Sequence, residues 1–163
     1  GDHVLDIGCG HGRSLAALAA RAPGGRVVGA DPSALMAEIA VARNRGLIRR
    51  RRVEVAVAGV EALPFESASF DRALCVHVIY FWKDLDLGLR EIARVLKPGA
   101  RLALILRTSA DTAAVSRFPA QVYSFRSLDK VLSALRAAGL ETEVADHGRE
   151  PALVVVRKAR SPP

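Results

Sequence analysis

Three glycines at alternate positions directly follow a short apolar segment near the start of the chain. The segment 4–7 is apolar apart from one aspartate, and Gly8, Gly10 and Gly12 come immediately after it. Glycine has no Cβ, so it adopts positive φ without strain and lets a ligand contact the main chain. The pattern therefore predicts a buried strand that ends in a ligand-binding loop.

Length and composition indicate a single domain. The chain has 163 residues, half of them apolar, which is enough to bury one sizeable core. We expect the domain to span residues 1–158 and the short polar tail 159–163 to be disordered. There is no run of about 18 apolar residues and no charged-then-apolar leader, so we expect a cytoplasmic protein without a membrane span. Cys9 and Cys75 form no disulfide framework, so we expect reduced thiols.

The net charge of +7 and the pI of about 10.2 raise the possibility of a nucleic-acid partner. The densest basic run is 49–52, and no aromatic residue interrupts it to stack on bases. This composition favours a solvated, arginine-biased connection between a helix and a strand over a patch that binds a polyanion.

Short apolar runs alternate with amphipathic stretches along the chain, which is typical of a parallel sheet covered by helices on both faces. The predicted strands span 4–7, 26–30, 53–58, 70–76, 101–106, 141–146 and 152–157. The predicted helices span 14–21, 34–46, 84–96 and 128–139, with Pro98-Gly99 ending the third. The last two strands, around Gly148, are expected to form an antiparallel edge hairpin, which predicts a doubly wound, seven-stranded, mostly parallel α/β sheet.

The glycine spacing argues against a dinucleotide ligand. The dinucleotide fingerprint G-x-G-x-x-G requires a third glycine where this chain has Arg13. In addition, Asp6 places a carboxylate at the end of the first strand, where it would repel a pyrophosphate. The same carboxylate suits a ligand that carries an ammonium and a sulfonium group, so we expect a cationic ligand.

Five segments in order resemble the class I S-adenosylmethionine-dependent methyltransferases, and among them the group known as methyltransferase type 11. The segments are Val-Leu-Asp-Ile-Gly-Cys-Gly-His-Gly at 4–12, Val-Val-Gly-Ala-Asp-Pro-Ser at 27–33, Val-Glu-Ala-Leu-Pro-Phe at 60–65, Ser-Phe-Asp at 69–71 and Arg-Val-Leu-Lys-Pro-Gly at 94–99. The resemblance involves nearly the whole chain. It implies a Rossmann-like fold, S-adenosylmethionine as the cofactor and methyl transfer as the reaction.

The resemblance also implies a set of cofactor-binding residues. Asp31 would accept hydrogen bonds from both ribose hydroxyls, and Asp6 would face the methionyl ammonium. Met36 would flank the adenine together with Pro32, or else pack in the core. The full set expected to bind the cofactor is Asp6, Gly8, Cys9, Gly10, Asp31, Pro32, Met36, Gly59, Val60, Glu61 and Val76.

The chain departs from the family pattern at two places. Gly59 stands where these enzymes commonly have a carboxylate that accepts from the adenine amino group, so we expect cofactor affinity about three- to tenfold lower. The chain also begins three residues before its first strand, where relatives carry helices that cover the cofactor. We therefore expect a domain without those helices and a site more open to water.

Methyl transfer from a sulfonium is an in-line displacement by a donor that is already activated, so few catalytic residues are needed. A base is required only when the acceptor is protonated at neutral pH. His77, just beyond the fourth strand, is the best-placed candidate, although a structural or cofactor-facing histidine is the commoner case. We expect no metal ligand.

Residues 75–80 contain neither the Asn/Asp-Pro-Pro-aromatic segment used on base amines nor a Pro-Cys pair, so a specific nucleic-acid substrate is disfavoured. A small-molecule or lipid-like acceptor fits better, since apolar and aromatic side chains are expected at the mouth of the site. These side chains are Phe65, Ile79, Tyr80, Phe81, Trp82, Phe118 and Tyr123. The alternative is a non-catalytic domain that binds S-adenosylmethionine or a protein partner.

Overall fold

The computed structural model describes residues 1–146 and 150–160, and within these ranges the chain forms seven strands and five α-helices. The strands are β1 His3–Ile7, β2 Arg26–Asp31, β3 Val53–Val57, β4 Phe70–Val76, β5 Leu96–Leu106, β6 Leu140–Asp146 and β7 Ala152–Lys158. The helices are α1 Arg13–Arg21, α2 Ala34–Arg49, α3 Leu85–Val95, α4 Thr112–Arg117 and α5 Leu128–Ala137. Short 3-10 turns lie at Val60–Ala62 and Ile79–Phe81.

The strands form one sheet in the order β3-β2-β1-β4-β5-β7-β6. The neighbouring pairs β3–β2, β2–β1, β1–β4 and β4–β5 are parallel, whereas β7 is antiparallel to both of its neighbours, β5 and β6. This confirms the predicted Rossmann-like doubly wound sheet, with its antiparallel strand one place in from the edge. The strand order reverses between β1 and β4, so the loops after these two strands leave the sheet in opposite directions. A crevice opens there at the carboxyl ends of the strands.

Two apolar cores lie on opposite faces of the sheet. Leu5 belongs to the larger core, beneath α3 and α5, whereas Val4 belongs to the smaller core, beneath α1 and α2. Successive side chains of a strand point to opposite faces, so Asp6 shares the face of Val4. The carboxylate of Asp6 is therefore buried on the side of α1, at the end of β1.

Two predicted element boundaries were wrong. Helix α2 continues past Gly46 to Arg49, because a glycine inside a helix carries a modest cost that packing against the sheet offsets. Helix α3 ends at Val95, and β5 begins directly at Leu96. Pro98 and Gly99 therefore lie within β5, at an irregularity in the β4–β5 register, and do not terminate the helix.

The arginine run 49–52 divides into two kinds of residue. Arg49, Arg50 and Arg51 are exposed, as expected for a solvated connection. The guanidinium group of Arg52 instead donates to the carbonyls of Ala19, Ala22 and Gly25, with distances of 2.9 Å to the first and the last. It thus satisfies carbonyl groups at the carboxyl end of α1 that have no partner within the helix.

The predicted turn at Gly148 and most of the predicted disordered tail 159–163 fall on residues that the structure does not describe. Gly148 and residues 161–163 lie outside the described ranges. Within the predicted tail, the Ala159 N–H donates to the Gly139 carbonyl at 3.1 Å. In the described ranges, no helix combines the length and the apolar character needed to cross a bilayer.

Candidate functional site

The glycine loop after β1 is held by its own main-chain amides. The N–H groups of Gly8 and Cys9 both donate to the Ala30 carbonyl, at 2.8 and 3.1 Å. Gly8, Gly10 and Gly12 have φ values of +70°, +51° and +71°, which only glycine adopts readily. The glycine prediction is therefore explained by backbone conformation as well as by ligand approach.

The three glycines differ in what surrounds them. A Cβ at Gly8 would lie 2.4 Å from the Val78 side chain, and one at Gly12 would lie 2.7 Å from Nδ2 of Asn44. A Cβ at Gly10 would meet nothing within 4 Å. Gly8 and Gly12 are thus required for packing inside the protein, whereas Gly10 borders open space that a ligand can fill.

Asp31, at the end of β2, links the glycine loop to the start of α2. Its Oδ2 accepts from the Gly10 N–H at 2.9 Å, and its Oδ1 accepts from the Ser33 N–H at 3.0 Å. The residue is 8% exposed, so its open side is limited to the crevice. Each carboxylate oxygen keeps a second lone pair, so Asp31 can accept two further hydrogen bonds from a ligand.

A cleft of about 700 Å³ lies at the crevice, beside Asp31. It is the size of a typical small-molecule site, and apolar surface dominates its lining. Most of the residues predicted from the sequence meet here. The lining residues are Gly8, Gly10, Asp31, Pro32, Met36, Ala58, Gly59, Val60, Glu61, Val78, Phe81, Trp82 and Lys83.

A smaller recess of about 220 Å³ adjoins the cleft on the other side of Gly8. Its lining includes three further predicted residues, Asp6, Cys9 and Val76. Asp6 is 3% exposed and accepts a short hydrogen bond from the Ser14 hydroxyl. Burial, opposed by this bond and reinforced by the negative charge of Asp31, raises the pKa of Asp6 to about 6. A cation placed between the two carboxylates would relieve their repulsion.

Cys9, which also lines this recess, belongs to the smaller core. Burial and the charges of Asp6 and Asp31 raise its pKa to about 12, and burial likewise raises the pKa of Cys75. Both cysteines are free thiols that stay protonated near neutral pH. They contribute packing and not nucleophilic chemistry.

The segment from Gly59 to Glu61 forms one wall of the cleft. Gly59 has ordinary extended dihedral angles, φ −81° and ψ 155°, and a Cβ there would lie 3.5 Å from Oε2 of Glu61 as its nearest neighbour. Val60 is buried against α3, and Oε1 of Glu61 accepts from the Lys83 N–H at 3.1 Å. This wall is thus tied to the loop that follows β4.

His77 lies between the two cavities and lines neither of them. It follows Val76, which lines the recess, and precedes Val78, which lines the cleft. Its imidazole is exposed, and Nδ1 lies 3.0 Å from the hydroxyl of the buried Tyr80. Partial burial and the charge of Arg107 lower the pKa of His77, so the ring is neutral near pH 7.

The residues predicted at the mouth of the site do not all lie together. Tyr80, Phe81, Phe118 and Tyr123 pack together beside His77, with ring centroids 4.7–6.2 Å apart in the contacting pairs. Phe65 does not join them, because it packs edge-on against Phe70 at 5.2 Å within the core. Ile79 and Trp82 are buried, and Trp82 also lines the cleft. The exposed members of the cluster, Phe81 and Phe118, offer an apolar surface next to the cleft.

Sequence reasoning missed several residues that shape the site. Val78 and Lys83 line the cleft, and their only signal was their position after the fourth strand. Asn44 lies on α2 and donates to the Gly12 carbonyl at 3.0 Å, so it anchors the glycine loop from the side of the helix. A buried asparagine within an apolar helical stripe is the feature that could have identified it. Among the described residues, no cluster of three or more His, Cys, Asp and Glu side chains could hold a metal.

Comparison with known sequences gives consistent matches. A family model described as a methyltransferase domain matches residues 5–104. Methyltransferase GfsG of Streptomyces halstedii is 35% identical over 161 residues, which cover 91% of this chain and 58% of that protein. The O-methyltransferase resE of Aspergillus sclerotiorum is 32% identical over 171 residues, which cover 99% of this chain and 64% of that protein. The chain therefore spans about three fifths of the length of these two relatives.

Comparison with solved structures identifies the same fold. The superposition with the geranyl diphosphate C-methyltransferase of Streptomyces coelicolor A3(2) covers 98% of this chain and 74% of that enzyme, with a TM-score of 0.81 and 21% sequence identity. That enzyme was crystallised with Mg²⁺, geranyl diphosphate and S-adenosyl-L-homocysteine. At this level of identity, the match shows the architecture.

Proposed function

The chain belongs to the methyltransferase type 11 group of class I S-adenosylmethionine-dependent methyltransferases, and on this premise we propose that it transfers a methyl group from S-adenosylmethionine to a small-molecule acceptor. The observation that carries the proposal is the pair of buried carboxylates, Asp6 and Asp31, on either side of a glycine loop that opens onto a 700 Å³ cleft. Two carboxylates beside this cleft fit a ligand that carries a cationic group at one end and a diol.

The donor set of the cleft fits each part of this cofactor. Asp31 accepts from the ribose hydroxyls with the lone pairs that the Gly10 and Ser33 amides leave open. The open space at Gly10 admits the ribose and methionine parts against the main chain. Met36 and the wall at Gly59 and Val60 would hold the adenine in the cleft, and Asp6 would face the methionyl ammonium from the recess.

The partially charged state of Asp6 favours this placement. Its pKa of about 6 means that the carboxylate ionises only at a cost in the free protein. A bound ammonium compensates that cost, so the protein binds the cationic ligand more tightly once Asp6 is ionised. Cys9 and Val76 fill the remaining surface of the recess without adding charge.

When bound, the cofactor supplies an activated methyl group, so the protein mainly aligns the acceptor and excludes water. Phe81 and Trp82 border the cleft and give it an apolar wall. The aromatic cluster of Tyr80, Phe81, Phe118 and Tyr123 gives an apolar acceptor a surface beside the cofactor. His77, at the carboxyl end of β4, is the proposed catalytic residue. The base role predicted for it applies only to acceptors that are protonated at neutral pH.

The relatives support a small organic acceptor, since one of them is named an O-methyltransferase. The structural neighbour that was solved with geranyl diphosphate binds a small molecule with an apolar geranyl chain and a charged diphosphate. Both observations agree with the apolar lining of the cleft and with the exposed aromatic rings next to it.

The test is a calorimetric titration of the 163-residue chain with S-adenosylmethionine. We expect saturable binding, and we expect Asp31→Ala to weaken it at least tenfold because two hydrogen bonds to a charged acceptor are lost. Glu54→Gln is the matched control, since it removes an exposed carboxylate near the amino end of β3 and should leave the affinity unchanged. Unchanged affinity in Asp31→Ala would refute the placement of the ribose.

Binding without transfer is the second candidate, and Gly59 favours it because the chain lacks the usual acceptor for the adenine amino group. Incubation with labelled cofactor and a panel of phenols, quinols and fatty acids separates the two. Transfer of label to any acceptor shows an enzyme. Saturable binding with no transfer supports the binding domain.

A further inference from the structure

The main chain fixes the position of His77. The residue adopts φ +55°, a left-handed conformation that is uncommon outside glycine and is often found at functional sites. Its N–H donates to the Ile105 carbonyl of β5 at 2.8 Å, which ties it to the neighbouring strand. The backbone that carries the imidazole is therefore held in place at the carboxyl edge of the sheet.

The Tyr80 hydroxyl determines where the protons of His77 lie. A phenol has one proton to donate, and Tyr80 is only 5% exposed. The Arg107 main-chain N–H can only donate, so at 2.5 Å the Tyr80 oxygen is its acceptor. The proton of Tyr80 is then directed to Nδ1 of His77, 3.0 Å away. Since Nδ1 accepts, the neutral imidazole carries its own proton on Nε2.

The charges around this group keep the ring neutral. The Arg107 side chain pairs with Asp111, and Arg107 and burial both lower the pKa of His77. Glu150, whose charge acts on Tyr80, is bound to the Thr108 amide and hydroxyl. Among the described residues, no hydrogen-bond partner of Nε2 is found, and His77 as a whole is exposed.

We propose that Tyr80 and the Arg107 amide hold His77 as the Nε2–H tautomer, so that His77 donates a hydrogen bond to an acceptor oxygen that already carries negative charge. The acceptor class is then a carboxylate, an enolate or an acidic phenol. This inference rests on the proposed methyl transfer, and it replaces the base role of His77 by a donor role. Tyr80 is a positioning residue in this arrangement.

Methyl transfer to an oxygen that is already anionic needs no base. A lone pair of the anionic oxygen forms the new bond to the methyl carbon while the carbon–sulfur bond breaks, and the pair of that bond stays on sulfur. No proton moves, and the His77 Nε2–H holds the oxygen in line with the methyl group.

The tautomer is measured directly by NMR of the 163-residue chain with ¹⁵N-labelled histidine, with His77→Ala used to assign the signals. We expect Nδ1 to be unprotonated and Nε2 to be protonated at neutral pH. Tyr80→Phe keeps the ring but removes the hydroxyl, so both tautomers should then be populated. Tyr123→Phe removes a hydroxyl from the same aromatic cluster and should leave the His77 tautomer unchanged. A proton on Nδ1 in the native chain would overturn the proposal.

An activity experiment tests the acceptor class with benzoate, 4-nitrophenol and benzyl alcohol as probes. We expect methylation of at least one of the two ionised probes and none of benzyl alcohol. His77→Ala should slow the transfer about 10- to 100-fold, the range for a hydrogen bond to a charged group. Methylation of benzyl alcohol, or of none of the three while the cofactor binds, would contradict the proposal. Failure of the cofactor itself to bind would instead refute the proposed function and leave the tautomer result to stand alone.

Discussion

Replacing Gly59 by aspartate should strengthen cofactor binding, because it restores an acceptor for the adenine amino group that this chain lacks. The backbone at Gly59, φ −81° and ψ 155°, suits any residue. The nearest atom to an added Cβ is Oε2 of Glu61 at 3.5 Å, which is an ordinary contact. The new side chain therefore fits without strain at a position that already lines the cleft.

The magnitude follows from two opposing terms. A hydrogen bond to a charged acceptor contributes about 1.5–3 kcal/mol. The carboxylate of Glu61, held nearby by the Lys83 N–H, opposes a second negative charge by about 1 kcal/mol at a separation of about 4 Å in water. The net gain of about 1 kcal/mol corresponds to roughly fivefold tighter binding.

Calorimetry with S-adenosylhomocysteine measures the gain, and two controls isolate its cause. Gly59→Ala fills the same space without an acceptor and should leave the affinity within about twofold of that of the native chain. The inosine analogue of the ligand lacks the amino group, so Gly59→Asp should not improve its binding. Equal gains for both ligands, or no gain for either, would show that the adenine does not lie against this wall.

Two further predictions concern stability, and both are measured by urea unfolding. Burial raises the pKa of Asp6 from its ordinary value to about 6, so the contribution of Asp6 to stability is fullest below about pH 4 and falls by roughly 2–3 kcal/mol as the pH rises through 6. Asp6→Asn should abolish that fall, and an unaltered pH dependence would contradict the burial of the charge. Arg52→Met should cost about 2 kcal/mol because the Ala19 and Gly25 carbonyls lose the guanidinium donor and the Ala22 carbonyl keeps only the Gly25 N–H, whereas the exposed Arg50→Met should change stability by less than about 0.5 kcal/mol. Equal losses in the two variants would show that Arg52 is not a structural cap.

Local chemistry made much of the fold predictable. Ser33 and Ser127 precede predicted helices, and Asp84 is the first residue of the predicted helix 84–96; in the structure all three side chains accept from main-chain amides of the first turn. Strand β4 was predicted at the bounds that the structure gives, Phe70–Val76, because an apolar run between polar turns has few alternatives. Predictions failed where tertiary packing overrides propensity, as at Gly46 in α2 and Pro98 in β5.

The candidate site was predictable where backbone geometry required particular residues and unpredictable where distant elements meet. Gly8 and Asp31 have recognisable neighbours in sequence, so both were identified. The proximity of His77 to Arg107 depends on the pairing of β4 with β5, which no local pattern specifies. The packing role of Arg52 was likewise invisible, because its three acceptors lie 27 to 33 residues away.

The glycine loop itself gives a second, independent reason why its ligand is cationic. A loop that binds pyrophosphate must present free main-chain N–H groups to the phosphates. Here the N–H groups of Gly8 and Cys9 are already bound to the Ala30 carbonyl, and that of Gly10 is bound to Asp31. A ligand that reaches the loop at Gly10 therefore lies beside the carboxylates of Asp31 and Asp6, where these three amides are already occupied. Arg13 breaks the dinucleotide fingerprint in the sequence, and the hydrogen bonds of Gly8, Cys9 and Gly10 remove three main-chain donors that a pyrophosphate would need.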